Sequence, residues 1–95
     1  MKAGYVYIMA NKRNGTIYIG ATSDLPQRVW QHKQGDIPGF TKRYRCRMLV
    51  WHQCFENLHD ARQQEIRMKA WKRRWKMRVI EELNPNWNGL YGDLQ

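Results

Sequence analysis

Two short runs within the first twenty positions alternate aromatic, β-branched and apolar side chains, with a polar segment between them. Residues 5–10 and 16–20 each combine aromatic, β-branched and apolar types in the period-two order that is typical of strands. The polar segment between them contains Asn14-Gly15, a strong signal for a tight turn because both residues tolerate a positive φ. The pattern predicts a β-hairpin.

The predicted hairpin brings two tyrosines onto one face of a sheet. Paired residues have an odd index sum whether the turn centres on Asn14-Gly15 or on Lys12-Arg13, and Tyr7 and Tyr18 differ by an odd number. Without a bulge, their side chains therefore project from the same face. Tyrosine is a favoured strand residue, so the pair by itself indicates packing more often than chemistry.

Three further segments follow the hairpin. A helix is predicted to begin at Ser23 or Asp24, either of which can cap its first turn, and to end near Gly35. Residues 36–45 contain proline, glycine and several charges and are predicted to form a loop. Residues 46–55 have the composition of a third strand.

The first predicted helix has an apolar side and a polar side. Leu25 and Val29 form its apolar contact, whereas Arg28 and His32, four positions apart, share another side of the helix. Such side chains on a helix are usually solvated, so a functional role for them needs further support.

Residues 58–83 show a helical period. Apolar residues recur every three or four positions, at Leu58, Ala61, Met68, Trp71, Trp75, Val79 and Leu83. The length predicts one long helix, or two with a break near residues 72–74. Asn84-Pro85 ends the pattern, and the tail with Trp87, Leu90 and Tyr91 is predicted to pack back on the core.

These elements make up one α/β domain over residues 1–95. We expect a small, mainly antiparallel three-stranded sheet flanked by helices, in the chain order β-β-α-β-α-α.

Glu65 breaks the apolar rhythm of the long helical segment. It lies between Ala61 and Met68, at a position where the helical period predicts an apolar residue. A carboxylate is therefore predicted to face the body of the domain. Burying that charge is costly unless it is paired or bound to a metal. With 17 lysines and arginines in the chain, an ion pair is the default explanation, and metal ligation is the alternative.

The formal net charge of +9 predicts a polyanionic partner. A nucleic acid fits better than a membrane, since no apolar run approaches the 18 to 20 or so residues of a membrane span. The basic residues expected to contact phosphates are Lys42, Arg43, Lys69, Lys72, Arg73 and Lys76. Composition alone does not separate a nucleic-acid-binding module from an enzyme.

The cysteines and the N-terminal segment bear on the compartment. Cys46 and Cys54 are too far apart along one extended stretch to form a disulfide and are expected to be free thiols. The chain begins with a strand-like pattern rather than a signal peptide. We therefore expect a soluble, cytoplasmic protein.

Several of these residues together resemble the signature of the GIY-YIG nucleases. Tyr5-Val6-Tyr7 is followed by Tyr18-Ile19-Gly20, with Tyr18 eleven positions after Tyr7. Arg28 then lies eight positions past Gly20, and His32 four further on. Residues 61–65, leading to 71–73, look like the family's helix with its metal-binding glutamate, Glu65, in the small stand-alone branch. One departure is that Tyr5 replaces the glycine of the first motif, although Gly4 lies beside it.

The resemblance implies a division of roles among five residues. Glu65 would hold a single Mg²⁺ or Mn²⁺ on the phosphate, and Arg28 would donate hydrogen bonds to the non-bridging oxygens. Tyr7 and Tyr18 would lie over the same phosphate, and His32 would relay a proton or orient a tyrosine. Whether tyrosine or histidine is the general base stays open, because a tyrosine needs a nearby cation to lower its pKa.

The resemblance also reaches the end of the chain. Asn88 is matched to an asparagine near the end of the family's domain, with Asn84 and Asn86 as competing matches.

The function that follows is a metal-dependent DNA endonuclease, with a role in repair or recombination. The alternative is a non-catalytic nucleic-acid-binding module on the same scaffold, and a weaker one is a protein-interaction domain that uses exposed tryptophans. No separate targeting module is apparent in 95 residues, so we expect target choice to come from DNA structure (branched or damaged DNA), from a partner protein, or from neither. The oligomeric state is not indicated.

Overall fold

The computed structural model describes residues 2–94, and its centre is a three-stranded sheet. The strands are β1 (Gly4–Ala10), β2 (Ile17–Thr22) and β3 (Met48–Phe55), in the spatial order β2-β1-β3. Both pairings are antiparallel. The predicted α/β class and the antiparallel sheet are therefore confirmed.

The hairpin register places the two tyrosines as predicted. Tyr7 pairs with Gly20 and Met9 pairs with Tyr18, so Tyr7 and Tyr18 lie diagonally on one face. The N–H of Gly15 donates to the carbonyl of Lys12 at 3.0 Å, so the turn centres on Arg13-Asn14 rather than on either predicted pair. Asn14 takes the positive φ, at 57°.

The first helix, α1 (Leu25–Gln34), has the predicted ends. The Asp24 carboxylate accepts from the backbone N–H of Gln27, and Gly35 stops the helix in the left-handed conformation, at φ 75°. Leu25 and Val29 are buried, as the apolar spacing predicted.

The predicted loop over residues 36–45 is wrong in part, because it contains a one-turn helix, α2 (Phe40–Arg43). A single turn is too short to show a helical period in the sequence. The third strand also begins later than predicted, at Met48 rather than Cys46. The N–H of Cys46 donates to the carbonyl of Thr41 at 2.9 Å, so the backbone there is tied to α2 and not to β1. Both cysteines are free thiols.

The long helical segment is two helices, α3 (Leu58–Lys69) and α4 (Arg73–Leu83), with a break close to the predicted position. The apolar stripe extrapolated across that break is wrong in part, since of its members in α4 only Val79 packs against the core. Trp75 is 49 % exposed and Leu83 is 76 % exposed, whereas Ile80 is buried. Residues 70–72 leave the helix, so α4 starts a new axis and the spacing counted along α3 no longer indicates its buried side.

The sheet carries a packed core on each face. On one face the buried residues come from the sheet, α3, α4 and the tail: Val6, Ile8, Ala10, Ile19, Val50, Trp51, Ala61, Met68, Ile80 and Trp87. On the other face they come from the sheet, α1 and the segment before β3: Tyr7, Met9, Leu25, Val29, Cys46 and Leu49. Tyr7 therefore lies between the sheet and α1.

The tail packs back on the core, as predicted, and Asn84 holds it there. The side-chain amide of Asn84, 5 % exposed, donates to the carbonyls of Val50 and Asn88 at 3.0 and 2.9 Å and accepts from the N–H of Asn88 at 3.0 Å. A shift in the β1–β3 register makes this possible, since Ile8 pairs with Trp51 and Met9 pairs with Leu49, which leaves Val50 unpaired. No helix among residues 2–94 combines the length and apolar character that crossing a membrane requires.

Candidate active site

Three aromatic rings meet between the sheet and α1. Tyr7 comes from the central strand, Tyr18 from the edge strand β2, and His32 from the last turn of α1. The ring centroids are 6.3 Å apart for Tyr7 and Tyr18, 5.6 Å for Tyr7 and His32, and 5.5 Å for Tyr18 and His32. The structure thus brings together three of the five residues that the sequence predicted to be catalytic.

His32 is the buried link in a chain of hydrogen bonds. Its Nε2 lies 2.9 Å from the hydroxyl of Tyr7, and its Nδ1 lies 2.8 Å from Oγ1 of Thr41. Thr41 belongs to α2, so this short helix holds the imidazole in place. In a neutral imidazole, either Nδ1 donates to Thr41 and Nε2 accepts from Tyr7, or both directions are reversed.

Burial fixes the protonation states of the pair. Burial raises the pKa of Tyr7 well above its usual range, with Tyr18 and the negative charge of Glu65 adding to the rise and the positive charge of Arg28 opposing it. Burial and the charge of Arg28 lower the pKa of His32 to about 4. Near neutral pH, Tyr7 keeps its proton and His32 is uncharged, so Nε2 can accept the hydrogen bond of the Tyr7 hydroxyl.

Gly20 makes room for the hydroxyl of Tyr7. A Cβ atom at position 20 would lie 2.5 Å from the Tyr7 oxygen and 3.0 Å from the ring of Tyr18. Only glycine allows the two tyrosine rings to pack this closely over the backbone of β2. Gly4 has a comparable role at the far end of β1, where a Cβ would lie 2.5 Å from the carbonyl oxygen of Asn57.

Arg28 supplies positive charge to the aromatic group. It lies one turn before His32 on α1, is half-buried, and its charge acts on both Tyr7 and His32. Among residues 2–94 the structure shows one salt bridge, between Glu65 and Lys69, so the Arg28 guanidinium has no carboxylate partner within that range. It remains available for an anion.

Glu65 occupies the edge of the group rather than the core. Its side chain is 18 % exposed, and its carboxylate lies 2.8 Å from Nζ of Lys69, which is itself 50 % exposed. The prediction of an inward-facing charge is therefore only partly right, and the pair is near the surface. The ammonium of Lys69 also lies 5.8 Å from the centre of the Tyr18 ring, which puts the pair beside the aromatic group.

The predicted phosphate-binding residues separate into different settings. Lys69 and Lys76 line a depression beside Tyr18, and Nζ of Lys76 donates to the carbonyl of Lys69 at 3.1 Å. Arg73 donates to the carbonyls of Asn14 and Gly15, so its guanidinium braces the hairpin turn. The remaining three are exposed, two on α2 and one as the N-cap residue of α4: Lys42, Arg43 and Lys72.

Comparison with known proteins identifies this arrangement. The GIY-YIG catalytic domain family matches residues 3–78 of the chain. The chain belongs to the GIY-YIG family. The matched range includes Tyr7, Tyr18, Arg28, His32 and Glu65. It ends before Asn84 and Asn88.

Small proteins are similar to this GIY-YIG domain over most of its length. A UPF0213 protein of Bacillus pumilus is 37 % identical over 79 residues, which cover 83 % of this chain and 80 % of the relative. A UPF0213 protein of Staphylococcus haemolyticus is 33 % identical over 82 residues, 86 % of this chain and 99 % of the relative. The solution NMR structure of a UPF0213 protein of Bacillus halodurans is 29 % identical, covers 83 % of each chain and has a TM-score of 0.49.

Two features of the GIY-YIG domain correct or extend the sequence-based view of its site. Asn88 is exposed and takes part through its backbone, whereas the buried asparagine is Asn84. Thr41 was missed, because a threonine in a polar segment carries no signal that it contacts a histidine nine positions away.

Proposed function

We propose that this GIY-YIG domain is a metal-dependent endonuclease that hydrolyses DNA phosphodiester bonds. The observation that carries the proposal is that Arg28 and Glu65, of opposite charge, both act on the hydroxyl of Tyr7, which is hydrogen-bonded to His32. Hydrolysis of a phosphodiester needs three groups close together: one that takes a proton from water, a cation that binds the phosphoryl oxygens, and an anion that can hold a metal.

Tyr7 and His32 would handle the proton. The Tyr7 oxygen would take a proton from the attacking water as its own proton passes to Nε2 of the neutral His32. Thr41 would hold the imidazole by accepting from Nδ1. The raised pKa of Tyr7 and the low pKa of His32 both oppose this transfer in the protein alone. The positive charge of Arg28 favours it, and a metal ion held by Glu65 would add to that effect by stabilising negative charge on the Tyr7 oxygen.

Arg28 would bind the phosphate, and Tyr18 would position it. A planar guanidinium can donate two parallel hydrogen bonds to phosphate oxygens, and no carboxylate of residues 2–94 competes for it. The ring of Tyr18 packs beside both Tyr7 and His32 and so limits where the phosphate can lie.

Glu65 fits the role of metal ligand. Its carboxylate already holds a cation, the ammonium of Lys69, and remains partly open to solvent. Mg²⁺ is commonly held by one or two carboxylates together with substrate phosphates and water, so a single glutamate suffices. When bound there, Mg²⁺ or Mn²⁺ would neutralise charge on the phosphoryl oxygens. Roles in repair or recombination, a cytoplasmic location and a partner protein that directs target choice stay predictions.

Cleavage of end-labelled DNA tests the proposal. Wild-type protein, Glu65→Gln and Tyr7→Phe are incubated with duplex, single-stranded and branched DNA, with Mg²⁺, with Mn²⁺ or with EDTA. Glu56→Gln, at an exposed carboxylate between β3 and α3, is the matched control. We expect cutting by wild type and Glu56→Gln only, and only with metal. Binding without cutting of any substrate would favour the non-catalytic module.

A further inference from the structure

A row of aromatic rings leads from the candidate active site to the protein surface. The ring of Tyr18 is 6.1 Å from that of Phe40, and Phe40 is 4.7 Å from Tyr44. Phe40 is 44 % exposed and Tyr44 is 41 % exposed. The row therefore begins at a residue of the site and ends in two rings that remain open to solvent.

The two outer rings do not serve the packed core of either sheet face. Phe40 begins α2 and Tyr44 follows its last residue, so both stand on the same single helical turn that holds Thr41 against His32. Phe40 and Tyr44 lie side by side and so form a contiguous exposed aromatic patch, which is a feature of binding surfaces.

Positive charge surrounds these rings. Lys42 and Arg43 line an open cleft of about 570 Å³ together with Phe40 and Tyr44, and the guanidinium of Arg43 lies 5.4 Å from the centre of the Tyr44 ring. On the other side of Phe40, Lys69 and Lys76 line the depression that contains Tyr18. A ligand of this surface must therefore present flat apolar faces linked by negative charges, which is the chemistry of a single nucleic-acid strand.

We propose that Phe40 and Tyr44 stack against an unpaired DNA base next to the scissile phosphate. In a regular duplex each base already stacks on its neighbours and offers no free face, so the surface selects DNA that is single-stranded or distorted at the cut. The basic residues on either side hold the flanking phosphates without reading sequence. The inference rests on the proposed function, for which it names the substrate class.

Equilibrium binding separates this inference from the proposed cleavage. Fluorescence anisotropy gives Kd at one fixed salt concentration, in EDTA, for a labelled single strand, for the same sequence as a duplex, and for a strand of the same length in which every residue is abasic. The proteins are wild type, Phe40→Leu/Tyr44→Leu, Phe40→Trp, and Trp75→Leu, which removes an equally exposed ring (49 %) from α4. Thermal unfolding checks that each variant is folded.

We expect wild type to bind the single strand more tightly than the duplex. The double leucine variant should bind the single strand about 5- to 100-fold more weakly, the loss that removal of base stacking produces, and the duplex less than about 2-fold more weakly. The fully abasic strand should bind wild type more weakly than the normal strand does, and the two strands should bind the double variant about equally. Phe40→Trp keeps a stacking ring and should retain the preference for the single strand, whereas Trp75→Leu should bind both DNA forms as wild type does.

Three results would overturn the inference: equal binding of both DNA forms by wild type, equal losses on both forms in the double variant, or an equal loss in Trp75→Leu. A folded protein with the expected single-strand preference that never cuts DNA would support the stacking surface and contradict the endonuclease. If perfect duplex were cut as fast as single-stranded DNA, that result would support the endonuclease and contradict the stacking surface.

Discussion

The hydroxyl of Tyr7 lies 2.9 Å from Nε2 of His32, and both side chains are buried. The two residues are 25 positions apart, one on the central strand and the other on the helix that covers it. Because Thr41 binds the opposite side of the imidazole, the three side chains form one hydrogen-bonded unit. That unit makes the site sensitive to changes that leave the fold intact.

Replacing members of this unit should reduce cleavage to different extents. Loss of a proton-transferring group typically costs about 10²- to 10⁴-fold in rate, so Tyr7→Phe and His32→Gln should each lower kcat by amounts in that range. Thr41→Val removes a positioning contact and should lower kcat about tenfold with little effect on KM. Single-turnover cleavage rates measure these effects.

The double variant Tyr7→Phe/His32→Gln checks that the two residues act together. If they share one proton path, it should be no slower than the worse single variant. If the rate loss of the double variant equalled the product of the two single losses, the two residues would have separate roles.

The free energy of unfolding should fall in mild acid because of His32. Its pKa is about 4 in the folded protein and about 6.5 when unfolded, so the unfolded chain takes up the proton first as pH decreases. Its contribution is therefore constant above about pH 7 and is lost between about pH 6.5 and 4, with a total on the order of 3 kcal/mol.

Urea unfolding at several pH values measures the effect. In His32→Gln the free energy of unfolding should fall less steeply below about pH 6.5 than in wild type. In His59→Gln, at an exposed position, it should fall as in wild type. If the free energy of unfolding fell equally steeply with decreasing pH in His32→Gln and in wild type, the low pKa of His32 would be contradicted. Some acid dependence should persist in His32→Gln, because burial also lowers the pKa of His52.

Gly20→Ala should damage the site and the fold together. The added Cβ would lie 2.5 Å from the Tyr7 oxygen, so the ring must move away from His32. Overpacking of this kind costs about 1 to 3 kcal/mol, and we expect cleavage to be lost in the molecules that remain folded.

Gly89→Ala is the matched control, because a Cβ there meets nothing within 4 Å. Thermal unfolding and cleavage rates should leave it close to wild type. If Gly20→Ala were equally mild, the close packing of Tyr7 over β2 would be refuted.

Asn84→Ala should destabilise the protein without reaching the site directly. It removes two donated hydrogen bonds and one accepted bond, and leaves the carbonyl of Val50 without the amide that it accepts from. A loss of about 2 to 3 kcal/mol is expected for a buried amide of this kind. Asn86→Ala, at an exposed position two residues on, should cost less than about 0.5 kcal/mol by urea unfolding.

Most of the fold could be predicted because its signals are local. The cap at Asp24 and the stop at Gly35 each depend on residues within one turn, and both lie where the sequence placed them. The hairpin turn was also predicted, but it centres on Arg13-Asn14, one residue away from either predicted pair. The stripe in α4 was predicted correctly at Val79 and wrongly at Trp75 and Leu83, because the spacing of apolar residues is reliable only while the helix continues, and the helix stops at residues 70–72. The single turn of α2 was too short to detect.

The sequence by itself determined which residues could form the site. Strand alternation fixes that Tyr7 and Tyr18 share a face, and the four-residue spacing of α1 puts Arg28 and His32 on one side, because both follow from backbone geometry alone. Only the tertiary structure decided that His32 is buried between Tyr7 and Thr41, that Glu65 pairs with Lys69 at the surface, and that Phe40 extends the aromatic row outward. Burial, pairing and pKa depend on which separate elements pack together, and that is set by contacts across the whole chain rather than by any one segment.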